Sequence, residues 1–434
     1  MIVESLTLGY DGFARKPKHL LMPVNYSDIE KIGATSLKVN RNSSATEMDV
    51  ETGYIKTVEP NVPRIEIGGN GKKQVLTEPT STNLITYSED ISRTEWSKIN
   101  IEYASNTILN PYGKQGSYTI SESANTSNHL LGSPSTIPTT LGEKYSFKFI
   151  VKKNTDDWVQ VAGISSSFST DSYANYNIGN GTIGNSNNVE NAKIVHLGNG
   201  WYEISSTFTS TNTTNSGAIL GLINNQNVST RLPSYVGDGV SGVYFFGAQV
   251  EQLHYSTSYI PTNGTTVTRL QDVMTNAGDE NIFRLDECGL FYELQDFGDN
   301  YHTYGLVGNS SYIQFINTNT ATQLRFSVYT GSDSRYVTLS NTQFDFSFRN
   351  RIFGRYINNR VSLYVNGLFI GESDIITPPT NLKRLEISNT YSSVYANVTK
   401  IKYLSSAPTY EEMEKESAYT SYEEIVNQFE LKVL

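Results

Sequence analysis

The sequence contains one cysteine, Cys288, among 434 residues, so no disulfide can form within the chain. A chain without disulfides fits assembly in a reducing cytoplasm. No run of 18 or more apolar residues occurs, and the sequence therefore predicts no membrane span. The first residues, MIVESLTLGYDG, lack the basic and apolar regions of a signal peptide. We accordingly expect a protein that does not follow the ordinary secretory route.

Positive charge is scarce relative to negative charge. The chain has 33 Lys and Arg against 43 Asp and Glu, which gives a net charge of −10. Because an acidic surface repels phosphate backbones, we expect no nucleic-acid partner. The five histidines are scattered without the spacing of metal ligands, and no G-x-S-x-G nucleophile motif occurs.

The acidic residues form no catalytic pattern. A glycoside hydrolase needs two carboxylates in one cleft, and no E-x-D-x-E spacing places such a pair on one strand face. We therefore predict that the protein is not an enzyme and carries no cofactor. Structural calcium stays open, because Asp156, Asp157 or Asp238 could supply oxygen ligands, although each is more typical of a turn.

Aromatic residues are abundant, with 29 Tyr and 18 Phe, and such residues suit the pleated surface of a sheet. Short segments such as YSFKFIVKK (145–153), WYEISSTFTS (201–210) and GVYFFGAQVE (242–251) read as half-buried strands, and Asn-, Gly- and Ser-rich links separate them. Many short strands at this spacing predict a two-sheet sandwich or jelly roll. The same style continues beyond residue 271, where Asn366-Gly367 predicts a tight hairpin turn.

Both ends of the chain differ from this pattern. Residues 1–31 predict an arm with too little apolar surface to fold alone, which either docks on another chain or adds a strand to its own domain. The residues expected to dock on a partner are Arg15, Lys16, Lys18, Leu20, Leu21 and Met22. At the other end, residues 409–434 are acidic, and Thr409 before YEEM indicates the N-cap of a short surface helix followed by a tail.

The sequence thus predicts an all-β protein with an N-terminal extended arm, a small β segment, two β-sandwich domains and a short C-terminal helix. The predicted domains are 1–31 (arm), 32–80 (small β segment), 81–270 (first sandwich), 271–408 (second sandwich) and 409–434 (helix and tail). The glycine-rich IGGNGKK in the small segment predicts a hairpin turn, since no helix or Lys-Ser pair follows as in a phosphate loop.

Several ordered phrases resemble a known family. RNSSATEMDVETGYI with the later Pro63-Arg64, then LTEPTSTNLITYSEDISRTEW (76–96), is similar to a segment of tailed-bacteriophage and prophage virion proteins. GAQVEQ (247–252), TSYIPTNG (257–264) and VTR (267–269) resemble the end of that family's carbohydrate-binding-like jelly roll. LYVNG and LSSAPTYEE resemble its concanavalin-A-like, laminin-G-like last module. The resemblance spans residues from about 35 to about 415 and leaves the arm outside it.

The resemblance implies a structural virion protein, a fibre or appendage, assembled in the cytoplasm of a bacterial host. Such a protein would form a homo-oligomer such as a trimer, and its sandwiches would adhere to host surface glycans. The arm lies outside the resemblance, and its docking on other virion proteins is an expectation from its composition alone. The alternative is a purely structural head or tail decoration or collar protein that binds only virion proteins. A weaker alternative is a polysaccharide depolymerase.

Glycan binding uses aromatic rings against the apolar face of a sugar, flanked by amides and carboxylates that bond its hydroxyls. Loop aromatics are therefore the candidates, although core packing and burial at subunit interfaces are alternatives for each. The candidates in the first sandwich are Trp158, Tyr173, Tyr176, Tyr235 and Tyr255, and those in the second are Tyr301, Tyr304, Tyr312 and Tyr336.

Overall fold

The computed structural model describes residues 7–8, 14–15, 19–21, 38–49, 51–67, 73–278, 280, 283–296, 302–317, 323–340, 348–374, 377–387 and 396–419. They belong to two compact units. The central unit consists of Ser43–Glu59 and Thr80–Leu270, and the terminal unit consists of Met1–Asn42, Pro60–Pro79 and Gln271–Leu434. No helix in these ranges is long and apolar enough to cross a membrane.

Strands make up nearly all of the regular structure. Up to residue 79 they are β1 (Thr7–Leu8), β2 (Ala14–Arg15), β3 (His19–Leu21), β4 (Lys38–Asn40), β5 (Ala45–Met48), β6 (Ile55–Val58), β7 (Arg64–Ile67) and β8 (Lys73–Thr77). Up to residue 270 they are β9 (Ser81–Asn83), β10 (Ser97–Ile99), β11 (Ile101–Asn106), β12 (Ser117–Glu122), β13 (Thr126–Ser127), β14 (His129–Gly132), β15 (Ile137–Thr139), β16 (Lys144–Lys153), β17 (Trp158–Gly163), β18 (Tyr173–Asn177), β19 (Thr182–Asn187), β20 (Glu190–Gly198), β21 (Trp201–Thr209), β22 (Thr214–Ser216), β23 (Ala218–Leu222), β24 (Tyr235–Val236), β25 (Gly242–Glu251) and β26 (Val267–Arg269). The remainder are β27 (Val273–Ala277), β28 (Glu287–Asp296), β29 (His302–Gly308), β30 (Tyr312–Asn317), β31 (Gln323–Tyr329), β32 (Ser334–Ser340), β33 (Arg349–Ile357), β34 (Arg360–Val365), β35 (Leu368–Asp374), β36 (Leu382–Ile387) and β37 (Ala396–Leu404), followed by helix α1 (Tyr410–Ser417).

The central unit is an antiparallel two-sheet sandwich. One six-stranded sheet has the order β10-β14-β23-β17-β18-β19 and the other β11-β12-β25-β16-β21-β20. Alternate residues of β16, including Phe147, Phe149 and Val151, pack against Val159 and Val161 of β17 in one buried cluster. The period-2 pattern of these strands therefore builds the core between the two sheets.

The outer face of the second sheet of the central unit carries a smaller apolar cluster. Ile150, Trp201 and Phe246 are at most 1% exposed there, and Ile55 from the β5–β6 hairpin packs against them. Thr46 of the same hairpin donates a hydrogen bond to the carbonyl of Tyr259 (2.5 Å). The hairpin thus covers apolar surface that a solvated sheet face would expose.

The terminal unit is also a two-sheet antiparallel sandwich. Its sheets have the orders β32-β31-β30-β29-β36-β27-β4 and β35-β34-β33-β28-β37-β8-β7. The β34–β35 turn has Asn366 at φ 51° and Gly367 at φ 84°, the left-handed conformations that a two-residue hairpin turn requires. Thr409 is the N-cap of helix α1 and forms a capping box with Glu412. These features confirm the predicted all-β architecture, its two sandwiches and its short C-terminal helix.

Residues 32–80, expected as a segment of their own, are divided between the two units. Strand β4 pairs with β27, and β7–β8 extends the sheet at β37, whereas the β5–β6 hairpin belongs to the central unit. The chain consequently passes between the units four times. The physical reason is that β4 and β7–β8 complete the edges of sheets whose other strands lie far along the sequence, whereas the β5–β6 hairpin covers an apolar sheet face of the central unit.

The expected docking arm contains a strand of the terminal unit. Strand β3 pairs with β37, with Leu20 opposite Tyr403 and Leu21 opposite Lys402. Arg15 lies in β2, which pairs with β1. This arrangement is the second of the two alternatives, a strand added to the arm's own domain. It is possible because β8 pairs only with Ala396–Val398 and leaves the later part of the same β37 edge to β3. Lys16, Lys18 and Met22 lie outside the described residues.

Four charged side chains form a buried ionic network in the terminal unit. Arg41 Nη1 lies 2.7 Å from Asp272 Oδ1, and Arg64 Nη1 lies 2.5 Å from Glu78 Oε2. Arg64 also pairs with the second oxygen of Asp272. All four side chains are at most 1% exposed. Two cations and two anions therefore compensate one another where the three chain segments of this unit meet.

Candidate functional site

Three of the predicted sugar-contacting tyrosines are core residues, and for them the prediction is wrong. Tyr176 and Tyr304 are at most 1% exposed, and Tyr173 is 6% exposed. The Tyr176 hydroxyl donates to the carbonyl of Ser205 (2.5 Å) inside the sandwich. The Tyr304 ring packs 5.8 Å from that of Tyr292. Because these side chains are almost completely buried, their rings offer no platform on which a sugar could stack.

The other predicted aromatics are more accessible, and their role in glycan binding stays a prediction. Trp158 and Tyr255 are half-buried, and the Tyr255 ring packs against His254 at 4.4 Å. The half-buried Tyr312 stacks on a neighbouring tyrosine. Tyr336 is 47% exposed, with an arginine guanidinium over its ring. Tyr301 lies outside the described residues.

Trp158 has an amide-rich environment. Its ring and the Asn227 amide both lie where a side chain at Gly184 would stand. Asn227 also accepts a hydrogen bond from Asn175 (3.0 Å), which in turn binds Gln160 (2.8 Å). Because these amides hydrogen-bond to one another, the polar groups next to Trp158 have little hydrogen-bonding capacity left for a ligand.

Tyr235 belongs to an acidic group at the end of β12. Its hydroxyl donates to Glu122 Oε2 (2.6 Å), and the Asp238 N–H donates to Glu122 Oε1 (2.8 Å). Burial, reinforced by Glu122 and Asp238, raises the pKa of the Asp156 carboxyl to about 7. No group of three or more His, Cys, Asp or Glu side chains in the described ranges is arranged to hold a metal ion. Asp238 instead caps its own turn through Val240 and Ser241 (both 2.7 Å).

A cavity of about 320 Å³ opens in the central unit. Its volume lies at the lower end of the range for small-ligand pockets, about 300–1,000 Å³. The loop after β9, strands β11 and β12, and the segment before β26 all contribute to its wall. The lining residues are Glu89, Asp90, Ser105, Gly116, Ser117, Tyr118, Thr262 and Asn263. Hydroxyls, an amide, two carboxylates and one aromatic ring therefore converge on one space.

Local hydrogen bonds fix the wall of the cavity. The Thr262 N–H donates to Ser88 Oγ (2.8 Å), and the Thr262 hydroxyl donates to the carbonyl of Ile85 (2.7 Å). Tyr87 and Asn263 are joined by an antiparallel bridge. The loop after β9 is thus held against the segment before β26, so the cavity needs little ordering when it binds a ligand.

Asp90 is held firmly by the protein itself. Its Oδ1 accepts from the Ser92 N–H (3.1 Å), the Ser92 hydroxyl (2.5 Å) and the Tyr118 hydroxyl (2.9 Å). Its Oδ2 accepts from Arg93 Nε (2.7 Å). The Ser92 and Tyr118 bonds lower the pKa of this carboxyl, so Asp90 is ionised at neutral pH.

Glu89 has a contrasting environment. Burial raises the pKa of its carboxyl to about 7, opposed only by a hydrogen bond with Tyr259. Its Oε1 is buried without a hydrogen-bond partner. The hydroxyl of Tyr112, whose pKa is raised by burial and by the nearby Glu89, also lacks a partner. Glu89 consequently keeps a buried acceptor in the cavity wall that no described donor satisfies.

Sequence reasoning did not identify Glu89 and Asp90 as site residues. They lie in YSED (87–90), within the phrases that carry the family resemblance, and the other lining residues come from segments distant in sequence. The available signal was two adjacent carboxylates in a loop between strands, and that signal is weak, since such pairs are usually solvated.

No known protein-family model matches the sequence, and no curated protein matches it. Among solved structures, the CBM40 domain of the Ruminococcus gnavus IT-sialidase, bound to α2,3-sialyllactose, covers 31% of this chain and 84% of its own at 13% identity and a TM-score of 0.28. Domain 4 of the arabinanase AbnA from Geobacillus stearothermophilus, with arabinotriose, covers 37% and 81% at 10% identity and 0.29. Mouse laminin α1 domains LG4-5 cover 66% and 90% at 10% identity and 0.23. What these structures share with the chain is β-sandwich architecture, and scores this low carry no assignment of function.

Proposed function

We propose that this protein is a glycan-binding adhesin and that its central unit holds a sugar in the cavity at Glu89 and Tyr118. The observation that carries the proposal is the convergence of hydroxyl, amide and carboxylate groups with a tyrosine ring in a space of about 320 Å³. A pocket with a few convergent polar groups and a titratable group of shifted pKa is the default position for a ligand. Sugars match it because they present many hydroxyls and an apolar ring face.

Binding explains this site better than hydrolysis. A hydrolase requires a protonated acid and an ionised base or nucleophile, and the opposite pKa shifts of Glu89 and Asp90 resemble that division. Asp90, however, is engaged by four hydrogen bonds from Ser92, Tyr118 and Arg93, which fix its loop. A carboxylate held in this way is poorly suited to attack a sugar or to activate water. We therefore propose a non-enzymatic role, and unchanged polysaccharide viscosity after incubation with the protein is the expected result.

Affinity for one sugar in a small open cavity is expected to be weak. Several copies displayed together would raise the effective concentration and make weak sites useful. The ordered sequence phrases support the further proposal that this display occurs on a bacteriophage virion, in a homo-oligomeric fibre or appendage assembled in the host cytoplasm. The rival proposal is a decoration protein that binds only other virion proteins. Antibody labelling of purified particles, followed by electron microscopy, would test the location.

The experiment for glycan binding is a panel of immobilised glycans probed with a multivalent form of the protein. Asn263→Ala removes an exposed amide from the cavity wall, and we expect at least a fivefold loss of apparent affinity, equivalent to about 1 kcal/mol. Gln252→Ala, a change to an exposed amide outside the lining, is the matched control and should bind as the native protein does.

Two outcomes would contradict the proposal. Absence of binding to every glycan at high valency would leave the purely structural role as the better explanation. Loss of binding in Tyr336→Ala with no effect of Asn263→Ala would move the site to the terminal unit, where Tyr336 is 47% exposed.

A further inference from the structure

We propose that the cavity selects glycans that carry a free amine, such as hexosamine units without an N-acetyl group, and that Glu89 is the residue that recognises the ammonium. This inference rests on the proposed function and names the class of sugar that the same site takes.

The side chains that line the cavity are acidic or neutral. The lining contains two carboxylates and no Lys, Arg or His side chain. Asp90 has its own cation, since Arg93 Nε lies 2.7 Å from it on the exposed side of the loop. Among the described ion pairs none includes Glu89, and only Tyr259 contributes a hydrogen bond to its pKa. A positively charged ligand would therefore complement Glu89, the carboxylate of the wall that has no cation of its own among the described ion pairs, whereas an anionic sugar would meet its like charge.

Glu89 also has unused hydrogen-bonding capacity. Glu89 Oε1 is buried and without a partner in the part of the chain that is described. Buried polar atoms are nearly always paired, so the Glu89 carboxyl in the cavity wall favours a ligand that brings a donor to it. An ammonium carries three donors and no acceptor, which suits a carboxylate.

The same carboxylates should disfavour a sugar whose amine is acetylated. Acetylation removes the positive charge and leaves a single N–H donor with a methyl and a carbonyl beyond it. The carbonyl oxygen would then approach the carboxylates of Glu89 and Asp90, both of which are acceptors when ionised. A site loses more binding free energy with a ligand that leaves a buried polar group unpaired than with a ligand that merely fits less well. The cavity should thus prefer the amine form by at least tenfold.

The test is calorimetry at pH 7 with the full chain and short oligomers of glucosamine, N-acetylglucosamine and glucose of equal length. We expect the glucosamine oligomer to bind at least tenfold more tightly than the other two. In Glu89→Gln this preference should fall to within about twofold. Glu95→Gln, which removes an exposed glutamate from the same loop, is the matched control and should keep the full preference.

A second measurement covers the case in which Glu89→Gln fails to fold, which tryptophan fluorescence of the central unit would reveal. The native protein is titrated with glucosamine oligomer at pH 6, where the amines of the ligand are mostly charged already, in two buffers of different ionisation enthalpy. Net proton release on binding is expected, because an ammonium favours the ionised form of Glu89, whose carboxyl is largely protonated at pH 6. No proton release in the native protein would overturn the assignment of Glu89.

The outcomes separate the inference from the proposed function. Equal or tighter binding of the acetylated or neutral oligomer overturns the amine preference and leaves glycan binding intact. An amine preference that survives in Glu89→Gln overturns the role of Glu89. Failure of all three oligomers overturns the inference, and failure of the whole glycan panel overturns the proposed function as well.

Discussion

Replacing Asp272 by asparagine should strongly destabilise the terminal unit. The Asp272 side chain is 1% exposed and neutralises Arg41 through one oxygen and Arg64 through the other, while the Glu78 N–H donates to it at 2.9 Å. Asparagine keeps the size of the side chain but removes the negative charge that pairs with both guanidinium groups. Breaking a buried ion pair by removing one partner costs about 3–5 kcal/mol. We expect a loss in this range.

The distribution of two rare residue types supplies an assay for this prediction. Cys288 is in the terminal unit and 0% exposed, so the rate at which a thiol reagent labels it reports opening of that unit. Trp96, Trp158 and Trp201 all lie in the central unit, so tryptophan fluorescence reports that unit separately. A loss of 3 kcal/mol corresponds to roughly a 150-fold faster labelling when opening is in rapid equilibrium.

Asp286→Asn is the matched control, because it removes an aspartate of the same unit whose side chain is 67% exposed and pairs with Arg284. An exposed pair of this kind contributes about 0–1 kcal/mol, so labelling should accelerate by no more than about fivefold. If Asp272→Asn accelerated labelling no more than Asp286→Asn does, the ionic network would not be a main determinant of stability and the reasoning would be refuted.

Three further changes have expected outcomes. Ile55→Ala in the β5–β6 hairpin should lower the free energy of unfolding of the central unit by about 2–4 kcal/mol, because Ile55 is only 6% exposed. The control Ile183→Ala, at a residue that is 43% exposed, should change this free energy by less than about 1 kcal/mol. Urea unfolding followed by tryptophan fluorescence would show whether the two variants differ. Gly367→Ala should cost about 1 kcal/mol or more, because φ is 84° and the new methyl would meet Ala418 at 3.0 Å; an unchanged midpoint of thermal unfolding would contradict this. Burial raises the pKa of Glu89 from 4.5 to about 7, so the folded state holds its proton more tightly than the unfolded state does. The free energy of unfolding of the central unit should therefore fall by up to about 3 kcal/mol as pH rises from 4.5 to 7. Glu89→Gln should remove this part of the decline, and parallel stability–pH curves for the two proteins would count against the prediction.

Features with a local cause could be predicted from the sequence. Asn366-Gly367 forms its turn because both residues tolerate positive φ, and Thr409 caps α1 because its hydroxyl accepts from the Glu412 N–H (3.1 Å). The strands of the sandwiches likewise follow from their alternating pattern. None of these features requires knowledge of which distant segment lies alongside.

Pairings between distant segments could not be predicted. Nothing in the residues around Arg41 indicates that its partner is Asp272, 231 positions later. The misassigned tyrosines have a related cause, because β18, which carries Tyr173 and Tyr176, is buried on both faces and its pattern does not distinguish them. The cavity at Glu89 was missed because its wall is assembled from four separate stretches of chain.

The division of the terminal unit into three stretches of sequence has a consequence for its synthesis. Thr77 of β8 bonds to the carbonyl of Ala396 in β37, 319 residues further on. At a translation rate of about 5–20 residues per second, β8 leaves the ribosome roughly 15 to 60 seconds before its partner does. The central unit, complete at Leu270, can fold within this interval, while β4, β7 and β8 keep open hydrogen-bonding edges. The speed of translation beyond residue 271 therefore sets how long a nascent chain presents edges on which another copy could pair.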